Sequence, residues 1–115
     1  MALVGCGEEP VGGDPGAVVR QLVAHLYSCD AGRWRQAQTL MAAEERARFA
    51  ITEAALAACR QRRPVLERVE RAGSDRGGNQ RWRIVARSAA GSASGEVVTV
   101  HTAAGWTVRG VSDWP

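Results

Sequence analysis

Cys6 carries the most specific chemical signal in this chain. Residues 3–6 read Leu-Val-Gly-Cys and a glycine follows, which is the form of a bacterial lipobox, a motif whose cysteine becomes attached to a lipid. A lipid at Cys6 would tether the protein to a membrane without a spanning helix, and no stretch approaches the roughly 18 apolar residues that such a helix needs. Because only two residues precede the motif, we expect most of an export signal to be encoded upstream of Met1, the alternative being an accidental match.

The other two cysteines, Cys29 and Cys59, allow two interpretations. No pair among the three cysteines has the close spacing of a zinc or thioredoxin-like site. If Cys6 is lipidated in an exported protein, Cys29 and Cys59 are an even pair that a disulfide can join. The other interpretation is that both are free thiols, buried as small apolar side chains near helix ends.

All 15 basic residues are arginine, which together with the abundant alanine indicates a GC-rich genome rather than a function. The net charge of +3 is modest, so we predict no specific nucleic-acid partner. The densest positive group is Arg60, Arg62 and Arg63. Its simplest explanation is the preference of cations for a helix C-terminus, and the alternative is an anionic lipid surface, which would fit an anchor at Cys6.

The length of the chain indicates one domain. We interpret residues 1–13 as a truncated lipobox and a flexible tether, and residues 14–115 as the folded domain. Asp14 and Pro15 suit the cap and first position of a helix. Helical spacing predicts this helix to about residue 29, a second over 33–41 and a third over 43–62. The apolar stripe of the first consists of Val18, Val19, Leu22, Val23 and Leu26.

Strand patterns follow the helices, over residues 65–72, 81–88, 96–102 and 106–111, with residues 89–95 expected as a turn of small residues. In the second strand Trp82, Ile84 and Ala86 alternate with arginines at positions 81, 83 and 87. The last three strands read as an antiparallel meander. We therefore predict an α+β fold in which three N-terminal helices pack on a curved, antiparallel four-stranded sheet.

Three motifs in this layout resemble the nuclear transport factor 2-like superfamily. The first is the helix that Asp14 opens and that ends in Leu-Tyr-Ser-Cys-Asp, with Cys29 where glycine is usual. The second is Trp34 on a short second helix. The third is the Gly-Trp-Thr-Val hairpin at residues 105–108, with Thr107 in place of the usual basic residue. The resemblance spans residues 14–114 and implies the cone-shaped, cystatin-like fold of small secreted or lipid-anchored actinobacterial domains of unknown function.

The resemblance also implies that the first helix lines a cone-shaped pocket. The plainer interpretation places the tryptophans in the core and His25 at the boundary of the helix. The two histidines, His25 and His101, lie far apart without a Cys or Asp partner, so no metal site is predicted. The pocket candidates are His25, Tyr27, Trp34, Trp82 and Trp106.

An isomerase or cyclase of this superfamily needs a carboxylate base and a donor that stabilises an enolate. Tyr27 is the only tyrosine, no aspartate falls in the middle of a strand, and most glutamates are expected on helix surfaces. We therefore predict no catalytic residue and no cofactor.

The sequence favours a non-enzymatic, extracytoplasmic, lipid-anchored domain that binds a small apolar ligand or a cell-envelope partner. One alternative is a cytoplasmic isomerase-like or cyclase-like enzyme with a hydrophobic pocket. The other is a protein-interaction module that forms a homodimer through the outer sheet face, although the arginines of that face argue against a dry apolar interface.

Overall fold

Helices precede strands in the part of the chain that the computed structural model describes, which comprises residues 14–74, 77–103 and 105–112. The helices are α1 (Pro15–Tyr27), α2 (Ala31–Thr39), α3 (Ala43–Arg48) and α4 (Glu53–Arg62). The strands are β1 (Val65–Ser74), β2 (Gln80–Ser88), β3 (Gly91–Thr102) and β4 (Gly105–Ser112). All strand pairs are antiparallel, in the order β1-β2-β3-β4. The predicted α+β class is confirmed, and Cys6 with the proposed tether lies outside the described residues.

The first helix builds the core. Asp14 caps it, with Oδ1 accepting the N–H of Gly16 at 2.9 Å, and Pro15 takes the first helical position, as predicted. Every residue of the predicted apolar stripe of α1 is buried. This stripe packs on the inner face of the sheet, where burial of apolar area is the main favourable term in folding. The buried side chains of that inner face are Trp82, Ile84, Ala86, Val97, Thr99 and Val108.

The predicted third helix is two helices, so the count of three is wrong. The chain leaves helical geometry at Phe49 (φ −99°, ψ 97°) and restarts at Thr52, whose hydroxyl accepts the N–H of Ala55 at 3.1 Å. The β-branched Ile51 and Thr52 favour this extended entry, and the threonine cap satisfies a backbone donor that a continuous helix would have bonded internally. The break carries Phe49 toward α2 instead of leaving it on a helix surface.

Strand β3 begins at Gly91, earlier than predicted. Only Ala89 and Ala90 form the turn, and Ser88 lies opposite Gly91, which has a φ of 115° that favours glycine. The small residues 92–95, expected as loop, pair with β2. Strand pairing here depends on the regular neighbouring strand more than on the intrinsic preference of serine, alanine or glycine.

The two edges of the sheet differ. Residues 40–42 run beside β4: the N–H of Ala42 donates to the carbonyl of Val108, and the N–H of Val108 donates to the carbonyl of Leu40, both at 2.7 Å. Strand β1 forms the other end of the sheet, and no strand of the described residues lies beside it. Its register with β2 shifts around Glu67 and Ala72, leaving a regular stretch at residues 68–71.

Cys29 and Cys59 are joined in a disulfide, with Cα atoms 5.6 Å apart and a sequence separation of 30. The bond connects the chain just after α1 to the middle of α4. Of the two interpretations of these cysteines, the structure agrees with the disulfide and not with two free thiols.

Replacing both bonded cysteines with Cys29→Ala and Cys59→Ala should lower the free energy of unfolding by about 3 kcal/mol, because the unfolded chain loses a closed loop of this length. Urea denaturation of the oxidised wild type, the reduced wild type and the double variant measures the effect. The reduced wild type is the matched control and should unfold near the midpoint of the double variant. An unchanged midpoint in both would show that the bond contributes no stability.

Candidate functional site

Two neighbouring apolar cavities, both partly open, share lining residues: one lies between the helices and β4, and the other lies among α1, α2 and α4. The sheet-side cavity, of about 190 Å³, is lined by Leu26, Met41, Glu45, Arg48, Phe49 and Val111. The helix-side cavity, of about 200 Å³, is lined by Leu26, Tyr27, Trp34, Phe49, Ala50, Ala55, Ala58, Cys59 and Arg62. An apolar cavity of roughly 150 Å³ accommodates a benzene-sized molecule. Each cavity therefore has room for a ring or a short length of alkyl chain.

Leu26 and Phe49 form the wall that the two cavities share. The ring of Phe49 packs against Trp34, with centroids 5.3 Å apart and planes at 57°. Trp34 is itself held by a buried hydrogen bond, in which its Nε1 donates to the carbonyl of Leu26 at 2.8 Å. Gln38 Nε2 donates to the carbonyl of Phe49 at 3.0 Å, which holds the backbone at the helix break. The ring of Phe49 is therefore held by Trp34, and its backbone is held by Gln38.

Glu45 brings a carboxylate into the sheet-side cavity. Its side chain is 9% exposed, whereas that of its ion-pair partner Arg48 is 71% exposed, and Arg48 Nη1 lies 3.3 Å from Glu45 Oε1. The first turn of a helix favours an acidic side chain. The expectation that most glutamates lie on helix surfaces missed Glu45. Within the predicted helix over 43–62, its spacing of four residues from Phe49 was the available signal, since residues four apart lie on one helical face.

Tyr27 contributes the phenol of the helix-side cavity. It is partly buried, and this burial raises its pKa to about 12, against a smaller opposing effect of the nearby Arg62 guanidinium. The neutral phenol is thus maintained well above physiological pH, where it can donate and accept hydrogen bonds.

The remaining pocket candidates lie elsewhere. His25 is near the surface, where its Nδ1 accepts from Arg33 Nε at 3.2 Å, and partial burial together with the Arg33 charge lowers its pKa. Trp82 is in the core, with Nε1 donating to the hydroxyl of Thr99 at 3.0 Å. Trp106 lies beside His101 with ring centroids 4.9 Å apart. Of the five predicted pocket residues, the structure brings Tyr27 and Trp34 together in one cavity.

The predicted basic patch is exposed at the C-terminal end of α4. Arg60 and Arg62 lie in the last turn, Arg63 ends the helix in left-handed geometry, and Arg62 also borders the helix-side cavity. Within residues 14–74, 77–103 and 105–112, no group of three or more His, Cys, Asp or Glu side chains is placed to hold a metal ion. None of the helices in those ranges is long and apolar enough to cross a membrane.

Comparison of the chain with protein-family models, with curated proteins and with solved structures found no match. The resemblance to the nuclear transport factor 2-like superfamily therefore stays a prediction from sequence motifs.

Because Tyr27 is the only tyrosine, its ionisation can be followed without interference from another phenol. We expect the phenolate absorbance of the folded protein to rise with a midpoint of about pH 12. In urea the same residue should titrate near its ordinary value of about 10. A folded-state midpoint equal to that of the unfolded chain would mean that the phenol is solvated. The helix-side cavity would then be filled with solvent at Tyr27 and would not be a desolvated site.

Proposed function

We propose that this protein is a non-enzymatic, lipid-anchored, extracytoplasmic domain that binds a small apolar ligand with one polar end. The observation that carries the proposal is the pair of apolar cavities on either side of the wall formed by Leu26 and Phe49. Ligand sites are concave, mostly apolar and supplied with a few directed polar groups. The two cavities taken together, which we call the groove, have that composition.

The polar groups of the groove are at its ends. The Glu45–Arg48 pair borders the sheet-side cavity, and Tyr27 and Arg62 border the helix-side cavity. A ligand that places its apolar body against Phe49 and its polar end at one of these groups would lose little hydration while burying apolar area, which contributes about 25 cal/mol per Å².

Glu45 is the residue that an isomerase-like or cyclase-like mechanism would require, but we assign it to ligand orientation. A base that forms an enolate needs a directed donor to stabilise the developing negative charge. The other side chains of the sheet-side cavity are apolar, except for Arg48, which is mostly exposed and already engaged with Glu45. The structure supports binding better than proton transfer.

The α+β layout supports membership of the nuclear transport factor 2-like superfamily, with the helices packed on one face of an antiparallel sheet. Register shifts in β1 and at Arg109 in β4, opposite Val98 and Thr99, support a curved, cone-like sheet, since bulges bend and twist strands.

The Cys29–Cys59 disulfide supports an extracytoplasmic location, because such bonds persist in oxidising compartments. The lipobox sequence ending at Cys6 supports a lipid anchor.

In a bacterial host that expresses the gene with its upstream coding sequence, the protein should take up radiolabelled palmitate and fractionate with membranes. Cys6→Ser should abolish both, with Cys59→Ser as a control that keeps the label. Labelling that survives Cys6→Ser would reject Cys6 as the anchor.

Ligand binding is tested with a fluorescent fatty-acid analogue. The wild type should bind it saturably, and Ala58→Trp, which fills the helix-side cavity, should weaken binding at least about tenfold, equivalent to about 1.4 kcal/mol. Ala57→Trp adds the same indole to the exposed neighbouring position of α4, outside the cavity lining, and should bind as the wild type does.

Absence of saturable binding by the folded wild type would reject the proposed function. Equal weakening by Ala57→Trp and Ala58→Trp would locate the bound probe outside the helix-side cavity. Circular dichroism of each variant establishes that the fold is retained.

A further inference from the structure

The β1 edge is the one side of the sheet that has no neighbouring strand in the described ranges. Residues 40–42 cover the opposite edge at β4, whereas β1 ends the strand order. A strand edge presents a row of backbone N–H and C=O groups that a further strand can pair with. The charges of β1 indicate which strand that is.

Residues 67–71 of β1 read Glu-Arg-Val-Glu-Arg. If a second copy of β1 lies antiparallel with a two-fold axis at Val69, Arg68 of each copy is opposite Glu70 of the other. Both side chains are on the outer face, because Arg68 lies opposite Val85 and Glu70 opposite Arg83 in β2. Their side chains are 60% and 46% exposed, so they are accessible to a partner.

The charges are already aligned within one copy, where Arg68 Nε and Glu70 Oε2 are 3.3 Å apart. The two-fold arrangement would join two such pairs into a square of alternating charge. Opposite charges directly across a strand pair each contribute roughly 0.2–1 kcal/mol, and like charges destabilise by similar amounts.

Neighbouring registers are disfavoured by the same rule. An axis at Arg68 or at Glu70 sets that residue opposite its own copy, which is a like-charge contact. An axis between positions 68 and 69 sets Glu67 opposite Glu70, and one between 69 and 70 sets Arg68 opposite Arg71. The axis at Val69 avoids these conflicts, and it sets two valines face to face on the inner side, where Val69 lies opposite Ile84.

We propose that β1 pairs antiparallel with β1 of a second copy about Val69, joining two four-stranded sheets into one continuous sheet. The register shifts around Glu67 and Ala72 limit regular pairing to residues 68–71, so the dimer is weak, with an interface below the roughly 1,200 Å² of stable complexes. Because the two-fold contact uses the same patch on both copies, assembly closes at the dimer. This surface is separate from the ligand cavities, and the inference does not depend on the proposed function.

The test uses charge exchange, with Cys6→Ser in every sample so that the Cys6 thiol cannot cross-link two chains. Sedimentation velocity at low salt should show a concentration-dependent dimer for the Cys6→Ser parent chain. Arg68→Glu and Glu70→Arg should each weaken dimerisation at least about tenfold, since each sets like charges opposite one another. The double variant, with both changes, should dimerise as the parent does.

An equimolar mixture of the two single variants is the sharpest measurement. In a mixed pair, the two acidic side chains of one chain face the two basic side chains of the other, so the mixture should form heterodimers although each variant alone stays monomeric. Loss of the Arg68–Glu70 pair within each chain is the same alone and in the mixture, so it cannot produce this rescue. Arg81→Glu is the control, because Arg81 is exposed on the same outer sheet face but lies opposite Gly73, which carries no charge on β1.

A parent chain that stays monomeric up to submillimolar concentration overturns the proposal, as does a mixture without heterodimers. A dimer that Arg81→Glu dissociates and Arg68→Glu does not would place the interface on the sheet face instead of the edge. If dimers form only after removal of residues 1–13, that segment and not a second copy occupies the edge of the full chain, and the proposal fails.

Discussion

The hydrogen bond from Trp34 Nε1 to the carbonyl of Leu26 connects the core of this protein to its candidate site. Leu26 is the last residue in the buried stripe of α1, so its position follows from the packing of that helix on the sheet. The bond fixes the indole of α2 at that point, and the indole supports Phe49. A buried indole N–H without an acceptor would cost about 1–3 kcal/mol of folding free energy. This hydrogen bond therefore stabilises the position of the wall between the cavities.

The bend at Phe49 completes this arrangement. Had the chain continued as one helix from Ala43 to Arg62, as its helical spacing predicted, Phe49 would have stayed on that helix and the shared wall would be absent. The Thr52 cap and the bond from Gln38 to the Phe49 carbonyl stabilise the interruption. Both are local polar contacts, yet their effect is to divide one groove into two compartments.

The parts of the fold that sequence predicted are those where a single pattern decides the outcome. The stripe of α1 and the alternation around Ile84 each bury one face whatever the neighbours are. The start of β3 was missed because pairing with β2 overrides weak local preferences. The end of α3 was missed because the helical spacing of residues 43–62 continues across the break at Phe49. At the site, Tyr27 and Trp34 were found as aromatic residues near the end of α1 and on α2. Glu45 was missed because a helix N-terminus explains an acidic residue without any cavity. The sequence did not decide whether Cys29 and Cys59 are bonded, because a sequence separation of 30 does not show that two residues are close in space.

Cys59 lies in the wall of the helix-side cavity and is also half of a covalent bond. Part of the cavity wall is therefore produced by a chemical reaction after synthesis, and not by folding alone. A newly made chain with reduced thiols contains the residues that line the cavity, but it lacks the Cys29–Cys59 bond that fixes Cys59 in the cavity wall. Completion of the cavity is thus tied to the oxidation of the chain, so that the protein acquires the finished cavity wall only where an oxidant is present.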